Sequence, residues 1–245
     1  EKRKEKIERK LKLLLVADTY YPKVDGTLKF MEEFLKRSHQ EFDVSLLVPL
    51  LEKRTGKHVT FIPTYKSLAI SGYPSIKLSF ATIRTIKKAI KDADLVFVQG
   101  PALLSYLSMY FGRKAGKTTI FYTHTIAWEL FEKFVPPIAN TIFFTLLKRL
   151  SIFFYNRCDV ILVPYRELRE ELLHEGVKSR IIVARLGVDI AQFSPSPDKA
   201  RSKQLLGIAS EKFVIGYVCR ISKEKNIELL LEAFKRLKRQ EELHL

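Results

Sequence analysis

Short apolar runs separated by helical patterns constrain the fold of this chain more than any other feature. Each run has the length of a strand, holds apolar residues at consecutive positions, and ends near Gly, Pro or Asp. Such runs are typical of a parallel sheet that is buried on both faces. Their alternation with helices predicts an α/β fold with an open, doubly wound, Rossmann-like sheet. The predicted strands are 12–17, 44–48, 58–62, 95–98, 118–122, 160–163 and 181–184.

Helices are predicted between these strands from the spacing of their apolar residues. They span 27–38, 78–91, 102–115, a part of 140–157, and 166–174. Thr27 is the predicted N-cap of the first helix. Because a parallel sheet gathers its functional loops at the carboxyl ends of its strands, the site is expected near 18–26, Gly100, His124 and Gly187.

The domain organisation follows from a change in composition after Gly187. Residues 1–10 are a charged arm, and 11–189 form the sheet domain. Residues 190–211, rich in Ser, Pro and Lys, are predicted to be a linker, and 212–245 begin a second domain with a strand and a helix. One strand–helix unit cannot bury its own apolar surface, so more of this domain is expected to follow.

Charge and metal-ligand patterns limit the function classes. The formal net charge of +16 favours anionic partners such as nucleotides, acidic lipids or nucleic acid. The five histidines are dispersed and the two cysteines lie far apart, so no metal site is predicted. The charged start of the chain is unlike a secretory leader, which favours a cytoplasmic location.

Two loops are candidate binding sites for phosphate groups. Gly26 stands before a helix start, where backbone N–H groups and the helix dipole favour an anion, although for the loop taken alone a plain turn is the favoured explanation. Arg220 and Lys225 flank the start of the helix in the second domain, where two cations suit a diphosphate. A solvated basic loop is the alternative for this pair.

The order of several motifs resembles one enzyme family. These are the segment 14–26 with Met-Glu-Glu at 31–33, the segments 121–124, 163–164, 185–189 and 193–195, and Arg220 with 224–226. Together they resemble retaining GT-B glycosyltransferases of the glycogen-synthase-like group, nearest to diacylglycerol glucosyltransferases and phosphatidylinositol mannosyltransferases. The resemblance implies a Rossmann-like acceptor-side domain and a donor-binding domain of the same type.

The resemblance also implies roles for individual residues. His124 matches a histidine near the transferred sugar, Gly26 matches the loop near the donor phosphate, and Arg220 and Lys225 match the diphosphate clamp. Many relatives have two adjacent glycines where this chain has Asp25 and Gly26. The donor is expected to be a UDP- or GDP-linked sugar, with no cofactor and no required metal. The family's paired glutamates would lie beyond Leu245, so the chain alone is expected to be inactive.

The segment 128–157 bears on the acceptor. Its apolar residues cover more than one helical face and are interspersed with basic residues, which fits either a buried helix or a patch on an anionic membrane. The candidate acceptor or membrane patch comprises Phe131, Phe134, Phe143, Phe144, Lys148 and Arg149. A buried helix is the commoner case, but the resemblance to lipid glycosyltransferases makes a lipid acceptor at the inner face of the membrane the leading hypothesis. A soluble sugar acceptor, and a non-catalytic nucleic-acid-binding module, are the alternatives.

Overall fold

The chain forms two compact units, 1–186 and 187–245. The computed structural model describes residues 9–23, 25–52, 55–70, 73–124, 126, 128, 137–219, 221 and 225–245, with the backbone alone for 66–70 and 137–143. The division falls three residues before the predicted boundary at 189.

The first unit alternates strands and helices as the sequence predicts. Its strands are β1 (Leu11–Ala17), β2 (Phe42–Leu50), β3 (Val59–Ile70), β4 (Tyr73–Ile76), β5 (Leu95–Gln99), β6 (Thr118–Tyr122), β7 (Val160–Val163) and β8 (Arg180–Val183). Its helices are α1 (Gly26–Ser38), α2 (Phe80–Lys91), α3 (Leu103–Lys114), α4 (Pro137–Tyr155) and α5 (Arg166–His174).

The strands form one sheet in the order β4-β3-β2-β1-β5-β6-β7-β8. All neighbouring strands are parallel except β3 and β4, which are antiparallel. The chain leaves β1 towards β2 on one side and later returns to place β5 on its other side. The carboxyl ends of β1 and β5 therefore form the point where strand order reverses, which is where open α/β sheets bind ligands.

The core has two layers because alternate residues of a strand face opposite sides of the sheet. Leu14 and Val16 join the cluster that contains the apolar residues of α2, α3, α4 and α5. Leu13 and Leu15 join the second cluster, to which α1 contributes Leu28 and Met31. The uninterrupted apolar run of β1 is thus buried on both faces, as predicted.

The β3–β4 hairpin is the main departure from the sequence-based prediction, which ended the third strand before Pro63. The strand continues because the hydrogen bond at this position uses the carbonyl of Pro63. This carbonyl accepts a hydrogen bond from the Lys77 N–H at 2.7 Å. The missing N–H of proline therefore costs the sheet nothing here. The parallel pairing of β2 with β3 ends at Leu50 and Pro63, and the antiparallel pairing with β4 begins at Thr64.

The second unit contains the predicted strand and helix in shorter form. Its elements are α6 (Lys199–Leu205), β9 (Phe213–Val214), α7 (Ile227–Lys235), a 3-10 turn (Gln240–Glu242) and β10 (Leu243–His244). β9 and β10 are parallel. α6 lies inside the segment predicted to be a linker, where Asp198 caps it by accepting a hydrogen bond from the Arg201 N–H at 2.9 Å.

Candidate functional site

The loop between β1 and α1 presents a helix N-terminus at the carboxyl edge of the sheet. α1 begins at Gly26, and Asp25 is its N-cap, accepting a hydrogen bond from the Leu28 N–H at 3.0 Å. The sequence-based choice of Thr27 as N-cap was wrong by two residues, because the helix starts one residue before Thr27. Among the described residues, no atom lies within 4 Å of where a Cβ on Gly26 would stand. A ligand can therefore approach the first turn of α1 closely.

His124 follows β6 and lies against α1. Its ring centroid is 4.6 Å from that of Tyr122 and 5.7 Å from that of Phe30. Burial lowers the pKa of His124 below its usual value, and the Asp25 carboxylate partly opposes this effect. The imidazole is therefore neutral near pH 7. The structure thus brings together the Gly26 loop and His124, which the sequence placed at separate strand ends.

Buried polar side chains without partners mark the ends of three adjacent strands. They are Thr19 after β1, Gln99 at the end of β5, and His124 after β6. Within the described residues, the Thr19 hydroxyl, both amide atoms of Gln99 and the His124 Nε2 make no hydrogen bond. The hydroxyls of Ser38 and Ser108, also buried and unpaired there, lie within helices. Because buried polar groups are nearly always paired, an unpaired group at a strand end points to a bound ligand or water.

Asp18 fixes the shape of this edge. Its buried carboxylate accepts hydrogen bonds from the Ser105 hydroxyl at 2.6 Å, the Ala102 N–H at 2.8 Å and the Ser105 N–H at 3.2 Å. Burial raises the pKa of Asp18 to about 6, although these hydrogen bonds act to lower it. Gly100, with φ of +118°, fits against this carboxylate, since a Cβ there would stand 2.5 Å from Oδ2. Asp18 therefore holds the β5–α3 loop in place.

The predicted diphosphate clamp belongs to the second unit. Arg220 lies outside the described residues. Lys225 is exposed, and its backbone carbonyl accepts a hydrogen bond from the Tyr217 hydroxyl at 2.8 Å. Asn226 follows in the left-handed region with φ of 49°, and α7 begins at the next residue. Lys225 therefore stands at the start of a helix, as the sequence predicts.

The predicted acceptor or membrane patch is described only in part. Phe131, Phe134 and the side chain of Phe143 lie outside the described residues, and Phe144 packs partly against the core. The Lys148 ammonium pairs with Glu175, whereas Arg149 is exposed.

The outer face of α4 is apolar at other positions. Leu146, Leu150 and Phe153 expose 64%, 44% and 43% of their surface, and their spacing puts them on one side of the helix. The Arg157 guanidinium lies 3.2 Å from the centroid of the Phe153 ring. We call Leu146, Leu150 and Phe153 the α4 strip. The sequence did not distinguish this strip from Phe144, because apolar residues surround the helix.

The part of the chain that the structure describes was compared with the requirements of a membrane-spanning helix and of a metal site. No helix there combines the length and apolarity needed to cross a bilayer. No group of three or more His, Cys, Asp or Glu side chains there is placed to hold a metal ion.

Comparison with family models covers most of the chain. Residues 24–192 match the model for glycosyltransferase family 4, and residues 198–245 match the model for glycosyl transferases group 1.

Curated relatives match the same region. A GDP-mannose-dependent alpha-mannosyltransferase of Mycobacterium tuberculosis is 24% identical over 90% of this chain and 58% of its own length. An alpha-monoglucosyldiacylglycerol synthase of Streptococcus pneumoniae is 27% identical over 91% of this chain and 52% of its own length. The chain thus spans about half the length of the curated relatives it matches.

A solved structure supports the fold alone. A candidate UDP-N-acetylglucosamine 2-epimerase from Listeria monocytogenes superposes with a TM-score of 0.54 and 11% identity, covering 97% of this chain and 62% of that protein. The GT-B type of α/β fold, which the sequence predicts, is confirmed.

Proposed function

Because the chain belongs to glycosyltransferase family 4, we propose that its protein is a retaining hexosyltransferase that uses a UDP- or GDP-linked sugar and a lipid or membrane-linked acceptor. The family is one of glycosyltransferases, and the relative from Mycobacterium tuberculosis is named for its dependence on GDP-mannose, a nucleotide-sugar. The assignment to this edge rests on the buried polar groups at the ends of β1, β5 and β6, which have no hydrogen-bond partner among the described residues. One of them, His124, interacts with Asp25 at the open N-terminus of α1, where a phosphate group is favoured.

His124 contacts the transferred sugar in this proposal. As a neutral imidazole it exchanges a hydrogen bond with a sugar hydroxyl through Nε2, which has no partner among the described residues. A neutral ring also avoids repelling the positive charge that develops on the sugar when the bond between C1 and the phosphate oxygen breaks. The acceptor oxygen then forms the new bond to C1 and passes its proton to an oxygen of the departing diphosphate.

The departing diphosphate requires positive charge. The N-terminus of α1 at Gly26 supplies part of it, and the proposal assigns the remainder to Arg220 and Lys225 of the second domain. These groups act in place of a metal ion. Transfer that continues in excess EDTA supports this assignment, and loss of transfer that added Mg²⁺ or Mn²⁺ restores contradicts it.

The acceptor is proposed to be a lipid at the inner face of the membrane. The α4 strip exposes three large apolar side chains beside the exposed Arg149, which suits the surface of an anionic bilayer. The relative from Streptococcus pneumoniae is named for a glycolipid product. Flotation with anionic vesicles at physiological salt tests the membrane, and a protein that stays in the aqueous fraction supports a soluble sugar acceptor instead.

The activity is tested with a protein that contains a complete second domain, because this chain spans about half the length of its relatives. UDP- and GDP-linked hexoses are incubated with diacylglycerol, phosphatidylinositol or a soluble oligosaccharide, and the products are separated by mass. NMR of the anomeric proton identifies the configuration of the new bond. We expect an α-linked product from an α-linked donor. Absence of transfer from every donor, or an inverted product, contradicts the proposal.

A further inference from the structure

Asp25 places a negative charge where the proposed function needs a phosphate. Its Oδ1 accepts a hydrogen bond from the Leu28 N–H at the first turn of α1. A carboxylate at this position stabilises the helix, but it opposes the approach of any second anion to the same N–H groups. A glycine or a neutral cap would not have this effect. A phosphate can therefore bind next to Gly26 only if a positive charge compensates the Asp25 carboxylate.

Lys23 supplies that charge from the same loop. Its Nζ lies 3.5 Å from Asp25 Oδ2 and 4.9 Å from the centroid of the Tyr73 ring. The exposed fractions of the Lys23 and Asp25 side chains are 30% and 16%, so water screens this pair less than it screens a surface pair.

Tyr73 fixes the position of the lysine. It belongs to β4, and its backbone pairs with Ile70 of β3. The ring contributes a cation–π contact that stabilises the ammonium group over the loop. The hairpin that the sequence did not predict thus provides a contact that helps to hold Lys23 beside Asp25.

We propose that Lys23 is the charge-compensating residue of the donor site: it neutralises Asp25, so that the diphosphate of the nucleotide-sugar can approach Gly26. This inference rests on the proposed function. Lys23 is a positioning residue, since it acts through Asp25 and does not contact the reacting atoms. The role of Tyr73 is to keep the ammonium group on the carboxylate.

The expected effect follows from the charge that Lys23→Ala would leave uncompensated. A carboxylate about 6 Å from a phosphate, at an effective dielectric constant of about 40, changes affinity roughly tenfold. Lys23→Ala therefore raises the KM for the nucleotide-sugar roughly tenfold and leaves the KM for the acceptor unchanged. Asp25→Asn keeps the cap, because asparagine caps a helix about as well as aspartate, and it lowers the donor KM by a similar factor, because it removes the carboxylate charge and leaves the Lys23 charge.

The double variant separates compensation from direct contact. With Lys23→Ala and Asp25→Asn combined, the donor KM returns to within about twofold of the wild-type value, because no charge remains to compensate. Lys29→Ala is the matched control, since Lys29 pairs with Glu32 on the same helix and leaves the donor KM unchanged. If the double variant keeps the high KM, Lys23 contacts the phosphate directly and the inference is wrong. A rise in the acceptor KM alone is also contrary to it.

A measurement that needs no enzyme turnover tests the charge compensation by Lys23 separately from the proposed glycosyl transfer. NMR titration of the His124 ring in the same proteins reports the charge on the loop. Its pKa should rise in Lys23→Ala and fall in Asp25→Asn. An active enzyme in which the His124 pKa stays constant in both variants overturns the compensation alone. A protein that shows these pKa changes but transfers no sugar from any donor overturns the proposed function, and the donor role of Lys23 with it.

Discussion

Gly100 offers the sharpest test of how the carboxyl edge of the sheet is built. In Gly100→Ala, the new residue would have to adopt φ of +118°, a region that costs a residue with a Cβ roughly 1–3 kcal/mol. The methyl group would also stand 2.5 Å from Asp18 Oδ2 and 3.1 Å from Asp18 Cγ. Asp18 cannot withdraw without weakening its hydrogen bonds to Ala102 and Ser105, and a bond to a charged group contributes about 1.5–3 kcal/mol.

These two costs together destabilise the first unit by about 4 kcal/mol, which corresponds to a fall in Tm of roughly 10 °C for a unit of this size. Gly116→Ala is the matched control, because Gly116 has φ of +66° and no described atom lies within 4 Å of its Cβ position. It pays only the backbone cost, about 1 kcal/mol or roughly 3 °C. Thermal unfolding followed by circular dichroism compares the two variants. Equal losses in Tm would refute the close contact between Gly100 and Asp18.

Three further predictions concern the site and its surroundings. The folded pKa of Asp18, about 6, lies above its ordinary value of 3.8, so Asp18 keeps a proton in the folded state that it loses in the unfolded state. The contribution of Asp18 to the free energy of unfolding should therefore rise by about 1 kcal/mol per pH unit as pH falls from 6 to 4, and urea titrations should show this rise as the difference between the wild type and Asp18→Asn. His124→Ala should lower kcat roughly tenfold, as expected for the loss of one hydrogen bond to the sugar, and steady-state kinetics that retain full kcat would remove His124 from the site. Replacing Leu146, Leu150 and Phe153 by serine should abolish flotation with anionic vesicles while circular dichroism still shows a folded protein, whereas Leu205→Ser, at an exposed position in the second unit, should leave flotation intact.

The central strands were predictable because their apolar runs carry their own signal. β6, β7 and α5 have the predicted bounds, and β1 and β5 differ from them by one residue. Burial on both faces removes the need for polar positions inside these strands, so consecutive apolar residues identify them. Gly, Pro and Asp at their ends then locate the functional edge. This is why Gly26 and His124 could be assigned to the same edge from the sequence.

The β3–β4 hairpin was not predictable by the same reasoning. In a sequence, proline usually marks the end of a strand. Pro63 lies inside a strand only because the hydrogen bond needed at this position is one that its carbonyl accepts, from the Lys77 N–H. Tyr73 belongs to this hairpin, so its contact with Lys23 was equally hidden. The acidic cap of α1 was missed for a related reason, since both Asp25 and Thr27 are common N-cap residues.

The apolar pattern of α4 did not predict which face of this helix is exposed. Apolar residues occur around the whole helix, and their periodicity does not say which of them meet the core. Packing against α3 and the sheet buries part of Phe144 and leaves the α4 strip outside. Only the tertiary arrangement separates the two sets.

The claim on which the account depends is that a donor phosphate approaches the N-terminus of α1 at Gly26. Gly26→Val fills the open space there while keeping a helix start, and it should leave Tm unchanged. In a protein with a complete second domain, the account predicts that this variant raises the KM for the nucleotide-sugar at least tenfold. A donor KM equal to that of the wild type would contradict it.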